Sequence, residues 1–104
     1  MPREEKDFSS GTDLLDKIQV KKPSNYVVIM HNDHYTTMDF VIEILMSVFN
    51  KNRAEATKIM LDVHQKGAGI AGIYAREIAE TKAQMANEKS RAAGFPLKCS
   101  IEKE

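Results

Sequence analysis

Tryptophan is absent from this 104-residue chain, and aromatic residues are scarce, so any core must be built from aliphatic side chains and the six methionines. The single cysteine, Cys99, cannot close an internal disulfide, which fits a reducing compartment. Neither sign of charge is in excess. Fifteen Lys and Arg cancel fifteen Asp and Glu, which removes the net positive field that nucleic acid or an anionic membrane would call for. No apolar run is long enough for a membrane helix, and no basic-plus-apolar leader opens the chain. These absences point to a cytoplasmic protein with no membrane or nucleic-acid partner. The length suits one domain with a modest core.

What is present divides at about residue 24. Residues 1–24, MPREEKDFSSGTDLLDKIQVKKPS, are rich in charge, Ser, Gly and Pro, and their apolar residues keep no sustained period. Such a composition buries too little surface to offset the entropy of ordering, which predicts a flexible extension. Leu14, Leu15 and Ile18 could make one helical turn against a partner. From Asn25 to residue 104 the pattern is that of a folded domain. Tyr26–Met30 reads as a strand. Thr36 or Thr37 can cap a helix running to about Phe49, with Val41, Ile44, Leu45 and Val48 inside. Asn52-Arg53-Ala54-Glu55 has the form of a capping box that opens a second helix, and Gly67 can stop it. Ile70–Tyr74 reads as a strand of small residues. Arg76 to about Arg91 reads as a third helix, with Ile78, Met85 and several alanines inward and Glu77, Glu80, Lys82, Glu88 and Lys89 exposed. Leu97, Cys99 and Ile101 alternate with polar residues in a last strand. The order β-α-α-β-α-β predicts an α/β sandwich, a small three-stranded antiparallel sheet against three helices.

The chemistry concentrates in Met30-His31-Asn32-Asp33-His34-Tyr35-Thr36-Thr37-Met38. A metal is one reading, because His31, Asp33 and His34 are donors and His64 could join them. The spacing opposes it: on an extended segment His31 and Asp33 point one way and His34 the other. A hydrolytic site is another reading, but no nucleophile elbow or Gly-rich oxyanion loop accompanies Thr36, Thr37 or Ser47. The third is capture of a cation. Asn32, Asp33 and a neutral imidazole offer the three acceptors that a primary ammonium requires. Met38 and Val41 share one helix face, as do Met60 and Val63, and these pairs are either ordinary core or the walls of a cavity.

Several motifs in series give the chain a family likeness. Asn32-Asp33, then Tyr35-Thr36-x-Met38-Asp39-Phe40-Val41, then Ala56-Thr57-x-x-Met60-Leu61-x-Val63-His64-x-x-Gly67, followed by Ala79-Glu80-Thr81-Lys82 and Pro96-Leu97-x-Cys99-x-x-Glu102, resemble the ClpS adaptor family. The likeness spans Tyr26 to Glu102. It implies a non-enzymatic adaptor without cofactor or metal, monomeric and bacterial, that binds proteins by a bulky first residue (Leu, Phe, Tyr or Trp) and delivers them to the ClpAP protease. By the same resemblance, Asn32, Asp33, His34 and His64 would hold the α-amino group and adjoining backbone. Met30, Thr36, Met38, Val41, Met60, Val63 and Leu97 would form the side-chain pocket, with Met38 excluding β-branched first residues. Glu77, Glu80, Thr81 and Lys82 would dock on the N-terminal domain of the Clp ATPase, and the extension over 1–24 would help hand over substrate.

Two positions depart from the family pattern. His34 stands where the family usually has a second Asp, and Thr37 replaces a common Pro at the start of the helix. A histidine supplies no negative charge and repels an ammonium once protonated. The expectation is degron binding that weakens below about pH 6.5, where free imidazoles titrate. The alternatives are a small metal-dependent enzyme using His31, Asp33, His34 and His64, and a docking domain that has lost degron binding.

Overall fold

The computed structural model describes residues 24–104, so the extension expected over 1–24, with Leu14, Leu15 and Ile18, lies outside the described residues apart from Ser24. The elements follow the expected order: β1 (Asn25–His31), α1 (Met38–Ser47), α2 (Arg53–Lys66), β2 (Ala68–Ala75), α3 (Arg76–Ala92) and β3 (Lys98–Lys103). β1 is the central strand of an antiparallel sheet of order β2-β1-β3. Alternation along β1 decides which face meets the helices. Val28 and Met30 are fully buried, whereas Val27 and Ile29, on the other face, are half-buried.

Local chemistry sets the helix ends. Thr37 is the cap of α1, its Oγ1 accepting from the Phe40 N–H at 3.1 Å. The box at α2 is complete. Asn52 Oδ1 accepts from the Glu55 N–H at 2.8 Å, and Glu55 Oε1 accepts from the Asn52 N–H at 3.1 Å. Gly67 ends α2 at φ 89°, a left-handed conformation that costs glycine little, and its N–H donates to the Val63 carbonyl. α1 stops at Ser47 instead of Phe49, because Val48 already serves as its C-cap.

Two features depart from the sequence pattern. The register of β1 against β2 shifts between Val28 and Ile29, which pair with Gly72 and Ile70. Ala71 is therefore left opposite no partner, and this bulge residue turns into the core at 0% exposure. The second departure is α3. Its buried face is Ala79, Ala83, Ala86 and Ser90, while Ile78 and Met85 are 51% and 45% exposed, the reverse of their expected inward placement. Small residues let the helix axis lie close to the sheet, and a face one position away carries the larger side chains outward. Ser90 tolerates full burial because its hydroxyl donates to the Ala86 carbonyl at 2.7 Å. Asn87 accepts from the Cys99 N–H at 2.7 Å and donates to the Cys99 carbonyl at 3.1 Å, which ties α3 to β3.

Candidate functional site

The loop between β1 and α1 is organised by one carboxylate. Asp33 Oδ1 accepts from the backbone N–H groups of Tyr35 and Thr36, both at 2.7 Å, and its Oδ2 accepts from the Thr36 hydroxyl at 2.7 Å. This is an Asx-type turn, and it ends where Thr37 starts α1. Desolvation pushes the Asp33 carboxyl upward. The hydrogen bonds from the Thr36 side chain and from the Thr36 and Tyr35 backbone, with the charge of nearby His34, outweigh it and hold the acid below its ordinary value. Asp33 is thus ionised across the physiological range.

One backbone bond brings the distant histidine to this loop. The Asn32 N–H donates to the Gly67 carbonyl at 3.0 Å, joining the start of the loop to the C-cap of α2. His64 lies in the last turn of that helix. As a result Asn32, Asp33, His34, Thr36, Met38, Val41, Met60, Val63 and His64 line a single cavity of about 200 Å³. Its wall is graded. Asn32, His34 and His64 are exposed and Met38 is 47% exposed at the mouth, whereas Val41, Met60 and Val63 are buried. Gly69 supports the α2 side of this wall, since a Cβ there would meet Val63 Cγ2 at 2.9 Å and the Ile59 carbonyl at 3.2 Å. Met30 and Leu97 lie buried in the core and are not among the residues that line the cavity.

His31 goes elsewhere. Its Nε2 lies 2.7 Å from the Ser100 hydroxyl on β3, away from the other two histidines. The alternation that would set Asp33 beside His31 and opposite His34 ends with the strand at His31, so Asp33 and His34 share one cavity. Among the described residues no three His, Cys, Asp or Glu side chains gather as metal ligands. Cys99 is no nucleophile either, because burial pushes its thiol up to about 12. What the cavity can do is hold a primary ammonium at a polar mouth, with an apolar group beneath it.

The second predicted surface is only partly outward. Glu77, Glu80 and Thr81 are exposed on α3, Glu80 pairing with Arg76 at 3.2 Å. Lys82 is half-buried rather than exposed. Its Nζ donates to the Val48 carbonyl at 2.7 Å and lies 5.4 Å from the centre of the Tyr74 ring. The last turn of α1 has no basic residue of its own, so a lysine from another helix supplies the missing donor. Nothing in the local pattern marked Lys82 for this task. The Asp33 turn, by contrast, had a signal in the Asp-x-x-Thr spacing.

Residues 21–100 match the family described as ATP-dependent Clp protease adaptor protein ClpS. The chain is 50% identical over 90 residues to the ATP-dependent Clp protease adapter protein ClpS of Lawsonia intracellularis, covering 86% of this chain and 83% of that protein. It is 51% identical over 86 residues to the protein of the same name from Desulfatibacillum aliphaticivorans, covering 83% of each. Among solved structures, Agrobacterium tumefaciens ClpS2 bound to L-phenylalaninamide superposes with a TM-score of 0.78 at 36% identity, covering 80% of this chain and all of that one. No helix among the described residues is long and apolar enough to cross a membrane.

Proposed function

The chain belongs to the ClpS family of ATP-dependent Clp protease adaptor proteins, and from that premise we propose that it reads the free amino terminus and bulky first residue of proteins bound for degradation. It is an adaptor and not an enzyme. The observation that carries the reading is the composition of this cavity: polar acceptors and Met38 at its mouth, and the buried side chains of Val41, Met60 and Val63 behind them. A ligand with an ammonium and an adjacent Leu, Phe, Tyr or Trp side chain answers both halves. The related ClpS2 was solved with L-phenylalaninamide, which has the same two features.

In this reading Asn32 and neutral His64 accept hydrogen bonds from the α-ammonium, and ionised Asp33 supplies the compensating charge. Asp33 spends two oxygens on holding its own turn, so its contribution to the ligand is field as much as contact. His34 stands where the family usually has a further carboxylate, and it supplies no negative charge there. Val41, Met60 and Val63 take the first side chain, and Met38 narrows the mouth against branching at Cβ. Burying a Leu- or Phe-sized group contributes roughly 1.5–3 kcal/mol. A charge-assisted hydrogen bond contributes roughly 1.5–3 kcal/mol. A micromolar complex requires about 8 kcal/mol, so neither anchor suffices alone.

Delivery needs a second surface, and Glu77, Glu80 and Thr81 on α3 are the residues we assign to docking on the N-terminal domain of a ClpA-type ATPase. Lys82 belongs to that face only in part, through the flank of its stem.

Fluorescence anisotropy with four labelled peptides, identical beyond their first residue, tests the degron reading. Peptides beginning with free Leu and free Phe should bind, and those beginning with free Ile or Nα-acetyl-Phe should not. Equal binding of Phe and acetyl-Phe would eliminate the ammonium site. Equal binding of Leu and Ile would eliminate the role of Met38.

A further inference from the structure

The chemistry of the cavity wall says what a ligand must have and also what it must lack. Of the nine lining side chains, the polar ones are acceptors or neutral groups, and Asp33 is the only carboxylate. No Lys or Arg lines the cavity among the described residues, so nothing of fixed positive charge faces a ligand's own anion. Asp33 stays ionised because three donors hold it at 2.7 Å. A free amino acid would bring its α-carboxylate next to the ammonium it offers, and so next to Asp33, with no fixed positive charge to answer it. A peptide or an amide carries no charge at that carbon and escapes the penalty. So does a ligand in which the carbon bears only hydrogen.

We infer that this cavity also takes free primary arylalkylamines, the class left when an aromatic amino acid loses its carboxylate, and that such amines compete with protein amino termini for the adaptor. The inference rests on the degron reading above and extends it to small molecules. An amine of this class retains the three ammonium protons that Asn32, Asp33 and His64 can accept, and the ring that Val41, Met60 and Val63 can enclose. A cavity of about 200 Å³ has room for one aromatic side chain and little more, so the rest of a polypeptide need not be present for the two anchors to engage. What the amine forgoes is only the backbone contact beyond the first residue. A cell in which amino-acid decarboxylation is active would therefore slow degron delivery by simple occupancy.

Isothermal titration of the full chain at pH 8 tests this with four probes: a Phe-initiated peptide, L-phenylalaninamide, 2-phenylethylamine and free L-phenylalanine. The expected order is peptide, amide and amine within about a factor of ten per step, with free phenylalanine at least tenfold weaker than the amine. The amine should also displace a labelled Phe-initiated peptide. Asp33→Asn should narrow the gap between amine and free amino acid, whatever it does to absolute affinity. Binding of the peptide with no amine binding at millimolar concentration would overturn the inference and leave the degron reading standing. Free phenylalanine binding as well as the amine would overturn the electrostatic argument. Failure of peptide and amine alike would remove the degron reading and, with it, this one.

Discussion

Asp33 accepts three hydrogen bonds on two oxygens, and each donor belongs to the turn that aims the loop into α1. Its acid is depressed in the folded protein, so the sign of its linkage to stability is settled. The contribution is fully present above the ordinary carboxylate range and is lost as pH falls through the depressed value. Asp33→Asn should cost about 1–2 kcal/mol near neutral pH, less than full burial would give because the side chain is partly exposed. Urea denaturation of both proteins across pH would show the difference holding steady down to about pH 4 and shrinking below it. A difference that persisted unchanged to pH 2 would mean that the charge is not what the turn uses. His34 and His64 make the companion case at the mouth. His64 brings an acceptor to the mouth and His34 brings no negative charge, so His64→Ala should weaken binding of a Phe-initiated peptide about tenfold while His34→Asp strengthens it. Anisotropy with both variants checks this, and unchanged affinity in both would take the two imidazoles out of the recognition scheme. The residue types at this site were legible in the sequence, because acceptor chemistry is a property of the side chain. The fate of His31, bonded to Ser100, was not, because its partner lies on a strand 69 positions away.

The helices show the same division. The Thr37 cap, the Asn52–Glu55 box and the Gly67 stop were all readable, since each joins residues at most four apart. The inner face of α3 was not. A period of three to four residues is shared by the alanine row and by the row holding Ile78 and Met85, and only the distance of the helix from the sheet selects between them. Lys82 is where one helix holds another. Its amine answers a carbonyl at the C-terminal end of α1, the helix whose other end carries Met38 and Val41. Lys82→Met keeps the apolar stem and removes the donor, and should cost about 1–2 kcal/mol. In a domain of this size that lowers the melting temperature by roughly 4–8 °C per kcal/mol. Selectivity for Leu over Ile should survive, because the cap of α1 next to Met38 is untouched. An unchanged melting temperature with weakened ATPase binding would return Lys82 wholly to the docking surface.

At the scale of the whole molecule, the fold is a device for bringing a loop and two helix faces to one cavity. The Asn32–Gly67 bond closes it at the end of the β1–β2 ladder, and the close approach at Gly69 sets how near α2 lies. Helix α3, proposed for docking, packs on the sheet, and the two proposed surfaces share no side chains. The amino-acid sequence by itself determined what acts locally or is written in ordered motifs: element order, helix caps, the acceptor chemistry of Asn32, Asp33 and His64, and membership of the ClpS family. The tertiary structure alone decided that Met38, Val41, Met60 and Val63 bound a cavity, that Ala71 bulges inward, that Ile78 and Met85 stay outside, and that Lys82 turns in. Those outcomes depend on how far one element lies from another. That distance comes from packing the whole core at once, and no single segment of chain contains it.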